Sequence, residues 1–418
     1  MTVGRMLVLL ALLCATLGAG PAVPAAQARS APTMSAKVYD QLAESEALAQ
    51  AGKTTEALAV LEELRKDEDD LSDYERAQLY SALGFVHFNA EEYGAGIDAY
   101  RKVLEQPDLP EAIESRTVYV LAQLLFQVQE YEESIAYLNR WIESSDSPGP
   151  KPYILLGQAY HQLARFPEVI APVRKAIRIA RDKGRRVEEN WYLLLRAAYY
   201  ETGDSPGVLE ILEKLVQEYP RKDYWLHLSA TYGQMGDEAK QLTAFEAAYL
   251  QGYLDTDQEV VLLAQLLIRA KIPYRAAVVL EKGLQDSVVA ATAGNYRLLS
   301  QAWTMARDDR RSIAALELAA GLSDEGELDA LLARSHLGLD DWPKAAEAAR
   351  SALRKGVERE DELQLLLGMA LFELARYEEA KAAFLEARSG PESRAVASQW
   401  IAYIDRELRR LAELREVQ

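Results

Sequence analysis

The sequence predicts an all-α fold, a solenoid of about ten helix–turn–helix repeats followed by one C-terminal helix. Two observations carry this. Amphipathic helical spacing recurs along residues 38–391, broken at short intervals by Gly, Asp or Pro, and no alternating β-branched run bounded by turn pairs suggests a strand. The chain also matches itself: "YILLGQAYHQLARFPEVIAPVRKAI" (153–177) aligns with "WLHLSATYGQMGDEAKQLTAFEAAY" (225–249) and with "QLLLGMALFELARYEEAKAAFLEA" (364–387).

Repeat starts fall near 38, 77, 115, 150, 188, 222, 258, 293, 326 and 361, so the period runs from 33 to 39 residues. Each unit reads as a first helix, a turn and a second helix. A small residue in the first helix (Gly84, Ala122, Gly157, Ser229, Ser300, Ala333, Gly368) lets the pair approach closely. A second small residue (Ala57, Gly96, Ser134, Ala277, Ser312, Ala345, Ala380) does so from the other side. The pattern resembles the tetratricopeptide repeat, whose 34-residue unit carries W-x2-L-G-x2-Y…A-x3-F…P. The best matches are Leu156-Gly157-x2-Tyr160, Leu83-Gly84 with Tyr100 and Pro107, and Gly368 with Ala380, Phe384 and Pro391. That resemblance implies a right-handed superhelix with the first helices on its inner wall.

The remaining segments fall outside the repeats. Residues 1–28 have the layout of a secretory signal peptide: Arg5, an apolar run from Met6 to about Leu17, and Ala26-Gln27-Ala28 as the cleavage site. An uncleaved anchor is the alternative, although about a dozen apolar residues are few for a permanent span. Cys14 is the only cysteine, so removal of this segment leaves no thiol for a disulfide, a metal site or a nucleophile. Residues 29–37 form a short linker. Residues 392–418 are expected to be one capping helix, with Trp400, Ile404, Leu408 and Leu411 on one side and Arg406, Arg409 and Arg410 on the other.

Composition excludes some functions. A net charge of −18 opposes nucleic-acid binding through a general basic field. The four histidines, His87, His161, His227 and His336, have no partner at ligand spacing, and His87 and His336 fall at packing slots, so no metal is expected. No phosphate-binding Gly loop, nucleophile elbow or dinucleotide fingerprint occurs. The expectation is a non-enzymatic protein without cofactors. One basic run stands out: "RKAIRIARDKGRR" (174–186) has seven Lys or Arg against one Asp. It reads as a solvated helix end or as a docking point for an acidic partner or lipid surface.

With the large aromatic slot numbered 4, inner-wall residues come at slots 2, 5, 9 and 12. The second repeat then offers Gln78, Ser81, Phe85 and Phe88. The third offers Arg116, Tyr119, Gln123 and Phe126, and the fourth offers Lys151, Ile154, Gln158 and His161. Rings interleaved with amides suit an extended peptide, which packs on the rings and pairs its backbone with the amides. The alternative is that the rings only cover a tightly wound wall. On the groove reading, alanine at Phe88, Tyr119 and Phe126 removes partner binding and leaves thermal unfolding nearly unchanged.

The fifth repeat, "ENWYLLLRAAYYETGDSPGVLEIL" (189–212), fits two registers. Tyr192 at the aromatic slot forces Arg196 into the small slot, where an unpaired guanidinium would cost several kcal/mol. A shift by one buries Trp191, Leu194, Leu195 and Ala198, lengthens the turn by a residue, and sets Tyr192, Arg196 and Tyr199 on the inner wall. The second register is preferred.

Several stretches are similar to a narrower group, the periplasmic tetratricopeptide proteins associated with TonB–ExbB–ExbD systems. They are "ENWYLLLRAAYYE" (189–201), "YWLHLSATYGQMGDE" (224–238), "AAYLQGYL" (247–254), "IPYRAAVVLEKGL" (272–284) and "AQLLFQVQEYEESIAYLNRWI" (121–142). The resemblance implies a periplasmic accessory that contacts TonB-, ExbB- or ExbD-type components. A scaffold for envelope assembly or secretion, and a regulatory module of an envelope enzyme, are the alternatives.

Overall fold

The computed structural model describes residues 33–416, so the expected signal segment at residues 1–28 and Cys14 lie outside the described residues. Twenty-one α-helices and one 3-10 turn account for most of what is described, and no strand occurs among the described residues. None of these helices is long and apolar enough to cross a membrane.

The helices follow one another as ten pairs and a last single helix. The pairs are α1 (Ala36–Gln50) and α2 (Thr54–Arg65); α3 (Asp73–Asn89) and α4 (Tyr93–Glu105); α5 (Glu111–Gln127) and α6 (Tyr131–Ser144); α7 (Pro150–Gln162) and α8 (Phe166–Asp182); α9 (Glu189–Glu201) and α10 (Ser205–Glu218). They continue with α11 (Lys222–Gln234) and α12 (Glu238–Leu250); α13 (Asp257–Arg269) and α14 (Pro273–Gln285); α15 (Ala293–Met305) and α16 (Asp309–Gly321); α17 (Gly326–Gly338) and α18 (Trp342–Lys355); α19 (Glu360–Glu373) and α20 (Tyr377–Ala387). The last helix is α21 (Arg394–Glu416). The chain falls into two compact units, residues 1–159 and 160–418, divided inside α7.

Every pair turns in the same way. Three residues separate its helices, and the middle one has a positive φ. These are Gly52, Glu91, Gln129, Ala164, Gly203, Gly236, Lys271, Arg307, Asp340 and Ala375, with φ between 54° and 78°. The next backbone N–H donates to the carbonyl five residues earlier, as from Glu92 to His87, at 2.9–3.0 Å in all ten turns. That is the Schellman closure, which satisfies carbonyls that a helix end would otherwise leave open. Seven of the ten middle residues are not glycine and carry the cost of a Cβ in the left-handed region.

The turn sets which residues face each other. Positions twelve apart meet where the helices cross, and hydroxyls bridge several of these crossings. Ser45 Oγ donates to the Ala57 carbonyl at 3.2 Å, Ser134 Oγ to the Ala122 carbonyl at 2.7 Å, and Ser229 Oγ to the Gln241 carbonyl at 2.9 Å. In two pairs the space left by a first-helix glycine is filled by a second-helix ring. A Cβ on Gly84 would lie 2.6 Å from the Tyr100 ring, and one on Gly368 would lie 2.7 Å from the Phe384 ring.

Each unit has its own core. In the first unit Leu61, Leu79, Leu83, Val103 and Leu121 belong to one apolar cluster. In the second unit one cluster centres on Leu263, Leu280 and Trp303 and another on Leu371, Phe384 and Ile404. Helix α21 belongs to the latter: Trp400 stacks on Phe384 at 5.4 Å, Ile404 is buried, and Asp405 pairs with Lys381 at 2.6 Å.

Two outcomes check this account. Ala375→Gly removes a left-handed Cβ and should raise the urea midpoint by about 1 kcal/mol of stability, whereas Gly203→Val should lower it. An unchanged midpoint for Ala375→Gly would show that the turn carries no such cost. Gly368→Ala should destabilise by about 1–3 kcal/mol, and by clearly less in a Phe384→Leu background. Strictly additive effects would remove the ring from the explanation.

Candidate functional site

The first unit presents a wall of first helices, α1, α3 and α5. Between them lies a cavity of about 370 Å³, lined by Tyr39 and Leu42 of α1, Gln78, Ser81 and Phe85 of α3, and Arg116 of α5, among others. Arg116 is exposed, and neither its guanidinium nor the Gln78 amide has a hydrogen-bond or ion-pair partner among the described residues. Tyr39 is largely exposed, so one edge of the cavity offers an aromatic face with no cover among the described residues. Rings on the wall, a free amide and one cation without an ion-pair partner among the described residues offer packing and hydrogen-bonding groups that suit an extended peptide. Among the described residues no group of His, Cys, Asp or Glu is placed to hold a metal ion.

Glu75 fixes the α1 side of this wall. Its carboxylate accepts from the Ser35 backbone N–H at 2.8 Å, and from the Ser72 N–H and hydroxyl at 3.0 and 2.7 Å. Ser35 is the N-cap of α1 and Ser72 that of α3, so one buried carboxylate ties both helix starts together. Burial pushes the carboxyl up, but the hydrogen bonds from Ser35 and Ser72 outweigh it and hold the group at about 2, against an ordinary 4.5.

The other expected wall residues divide. Phe88 lies 6.0 Å from the Tyr93 ring, Phe126 5.3 Å from Tyr131, and Tyr119 4.9 Å from Trp141. Each of these rings is half-buried against the second helix of its own pair, where such contacts contribute about 0.5–1.5 kcal/mol. Truncating them therefore acts on folding as well as on any partner. Gln123 and Gln158 are half-buried with no side-chain hydrogen bond among the described residues, so their amides remain open. In the second unit His161 packs edge-on against Phe166 at 5.5 Å.

The fifth pair differs from the preferred register. Trp191 is buried at 6% exposure, as that register requires. Tyr192 and Tyr199 are buried too, at 1% and 3%, and neither can serve as an inner-wall contact. The turn Thr202–Asp204 has the common three residues and is not lengthened. With that turn, Arg196 stands twelve residues before Val208, at the small slot. The expected burial cost is avoided because the long side chain runs outward: Arg196 is half-exposed, with Nη1 3.4 Å from His227 Nδ1 and its guanidinium 6.0 Å from the Tyr224 ring centre. Helix α10 meets α9 through Gly207 instead, where a Cβ would lie 2.5 Å from the Tyr199 ring. Both tyrosine hydroxyls are drawn toward the second helices. Tyr199 accepts from Arg174 Nε, while Tyr192 accepts from Arg181 at 2.7 Å and donates to Glu218 at 2.9 Å. Burial and then the Glu218 contact outweigh the lowering effect of Arg181 and leave the Tyr192 phenol pushed up to about 12.

Tyr39, Leu42 and Glu46 were not among the expected residues, yet all three line the cavity. They occupy slots 2, 5 and 9 of the first repeat, so the slot rule applied one repeat earlier identifies them.

Residues 331–394 match the tetratricopeptide repeat family. These residues carry tetratricopeptide repeats. Tetratricopeptide repeats are protein-interaction scaffolds, and this segment covers most of α17 to α20. Residues 49–180 match the RNPP family C-terminal domain. No curated protein matches the chain. Among solved structures, it is similar to a tetratricopeptide repeat protein from Parabacteroides merdae, with 14% identity over 72% of this chain and 98% of that one and a TM-score of 0.37. It is also similar to the TPR2AB domain of yeast Sti1 in its complex with pHSP90 (14%, 62% and 98%, TM-score 0.34). A third is YrrB, a TPR protein with an unusual peptide-binding site (13%, 41% and 84%, TM-score 0.33).

The Glu75 contacts give a pH dependence. A carboxyl held below its unfolded value stabilises the fold above about 4.5 and loses that contribution as pH falls toward about 2. Wild type should therefore be more stable than Glu75→Gln at neutral pH, and the gap in denaturant midpoint should close between these two values. A gap constant with pH would remove the charge from the role of Glu75.

Proposed function

We propose that this chain is a non-enzymatic, exported scaffold that holds an extended segment of a protein partner against the wall formed by α1, α3 and α5. The cavity that gathers Tyr39, Gln78, Ser81, Phe85 and Arg116 carries the reading. A strand-like segment laid there would stack side chains on Tyr39 and Phe85, pair backbone groups with Gln78, and bring an acidic or carboxyl-terminal group to Arg116. The reading extends to a periplasmic location and a TonB-type transport system, supported by the signal layout of residues 1–28 and by the stretches at 121–142 and 189–284.

Arg116→Glu reverses the free cation, and Ser81→Trp fills the cavity. Each should weaken partner binding by at least about tenfold, or about 1.4 kcal/mol, with little change in thermal unfolding. A photo-crosslinking residue at position 39 in living cells, followed by mass spectrometry, identifies the partner. TonB-, ExbB- or ExbD-type proteins lost on Ser81→Trp support the full reading. An assembly factor or an envelope enzyme at that position would replace the transport role, and retention of the partner by both variants would move the site elsewhere.

A further inference from the structure

The second unit contains a basic notch that the inner-wall reading does not use. Its floor is Ile177 of α8, Leu195 of α9 and Ile211 of α10, and its volume is about 210 Å³. Arg174, Arg178 and Arg181 stand at intervals of four and three on α8 and therefore share one face. The outer two are pinned. Arg174 binds the Tyr199 hydroxyl and Glu210, and Arg181 binds the Tyr192 hydroxyl at 2.7 Å and Glu218 at 3.4 Å. Arg178, between them, and Lys214, facing from α10, have no partner among the described residues.

Charge distinguishes this place from the rest of the chain. Residues 174–186 carry seven cations and one acid in a protein of net charge −18. A solvated helix end needs no pinned arginines. Here two guanidinium groups are fixed by buried tyrosines, so the free cations sit in a frame that is already ordered, which lowers the entropy cost of binding an anion. We propose that the notch docks an acidic segment of a protein partner, with carboxylates on Arg178 and Lys214 and a small apolar side chain over Ile177 and Ile211. A membrane surface fits less well. The carboxylates of Asp182 and Glu210 also line the notch and leave room for only a few acidic groups, and none of the exposed large apolar side chains, which would enter a bilayer, lies on α8 or α10.

The test uses the full chain, a fluorescein-labelled dodecapeptide of Gly and Ser with a central Glu-Asp-Leu-Asp-Glu stretch, and vesicles of phosphatidylcholine with or without phosphatidylglycerol. Wild type should bind the peptide with an affinity that falls as salt rises. Arg178→Glu with Lys214→Glu should weaken binding at least tenfold. Arg297→Glu with Arg310→Glu, an equal charge change at exposed positions of the same unit, should weaken it by less than threefold. Thermal unfolding of both double variants should match wild type. Equal losses in the two double variants, or no peptide binding by wild type, would overturn the proposal. So would binding to phosphatidylglycerol vesicles without binding to the peptide.

Discussion

One constraint sets the positions of almost every other residue: the three-residue turn closed by a left-handed residue. It repeats ten times with the same hydrogen bond, whatever residue stands in the middle. Because the turn has a fixed length, the two helices of a pair meet in a fixed register. Residues twelve apart become neighbours at the crossing, and the crossing selects small side chains or hydroxyls that can cap a facing carbonyl. The small residues are therefore a consequence of the turn. A chain with the same small residues and turns of varying length would not bring them together.

The fifth pair shows what happens when a side chain conflicts with this register. An arginine at the crossing could have lengthened the turn or been buried at high cost. The turn held, the guanidinium ran out toward His227 and Tyr224, and the close approach moved one residue to Gly207. The displaced space was taken by the Tyr199 ring. That rearrangement carries the hydroxyls of Tyr192 and Tyr199 to the side of α8, where they fix two arginines. A packing accommodation in one pair thereby orders the charged face of the helix before it.

Much of the fold was legible because its signals are local. Helical spacing, small slots and repeat length follow from the 3.6-residue period and need no long-range information. The turn was less legible, since Glu91, Gln129, Lys271 and Arg307 do not announce a left-handed backbone. The site was legible in part. Slots 2, 5 and 9 located Gln78, Ser81, Phe85 and Arg116, whereas slot 12, and slot 5 at Tyr119, did not distinguish a groove ring from one leaning on its own pair. Phe88 and Phe126 depend on Tyr93 and Tyr131, five residues later across the turn, and periodicity within one helix cannot see that partner. Tyr192 and Tyr199 were misplaced for a related reason: the arginines that orient them lie eleven and 25 residues earlier, on another helix.

Net charge bears on both proposed surfaces. At physiological salt, interactions between exposed charges fade over about 8 Å, so an acidic partner approaching a chain of −18 meets repulsion from most of it and attraction only at short range. Each surface answers this with few cations: Arg116 alone on the wall of the first unit, and Arg178 with Lys214 in the notch of the second. A long polyanion would gain little, because most of its length would face carboxylates. A short acidic stretch within a neutral or basic segment would gain the local pairing without the wider penalty. On the two proposed surfaces, sparse free cations on an acidic scaffold would therefore favour short acidic motifs over long polyanions.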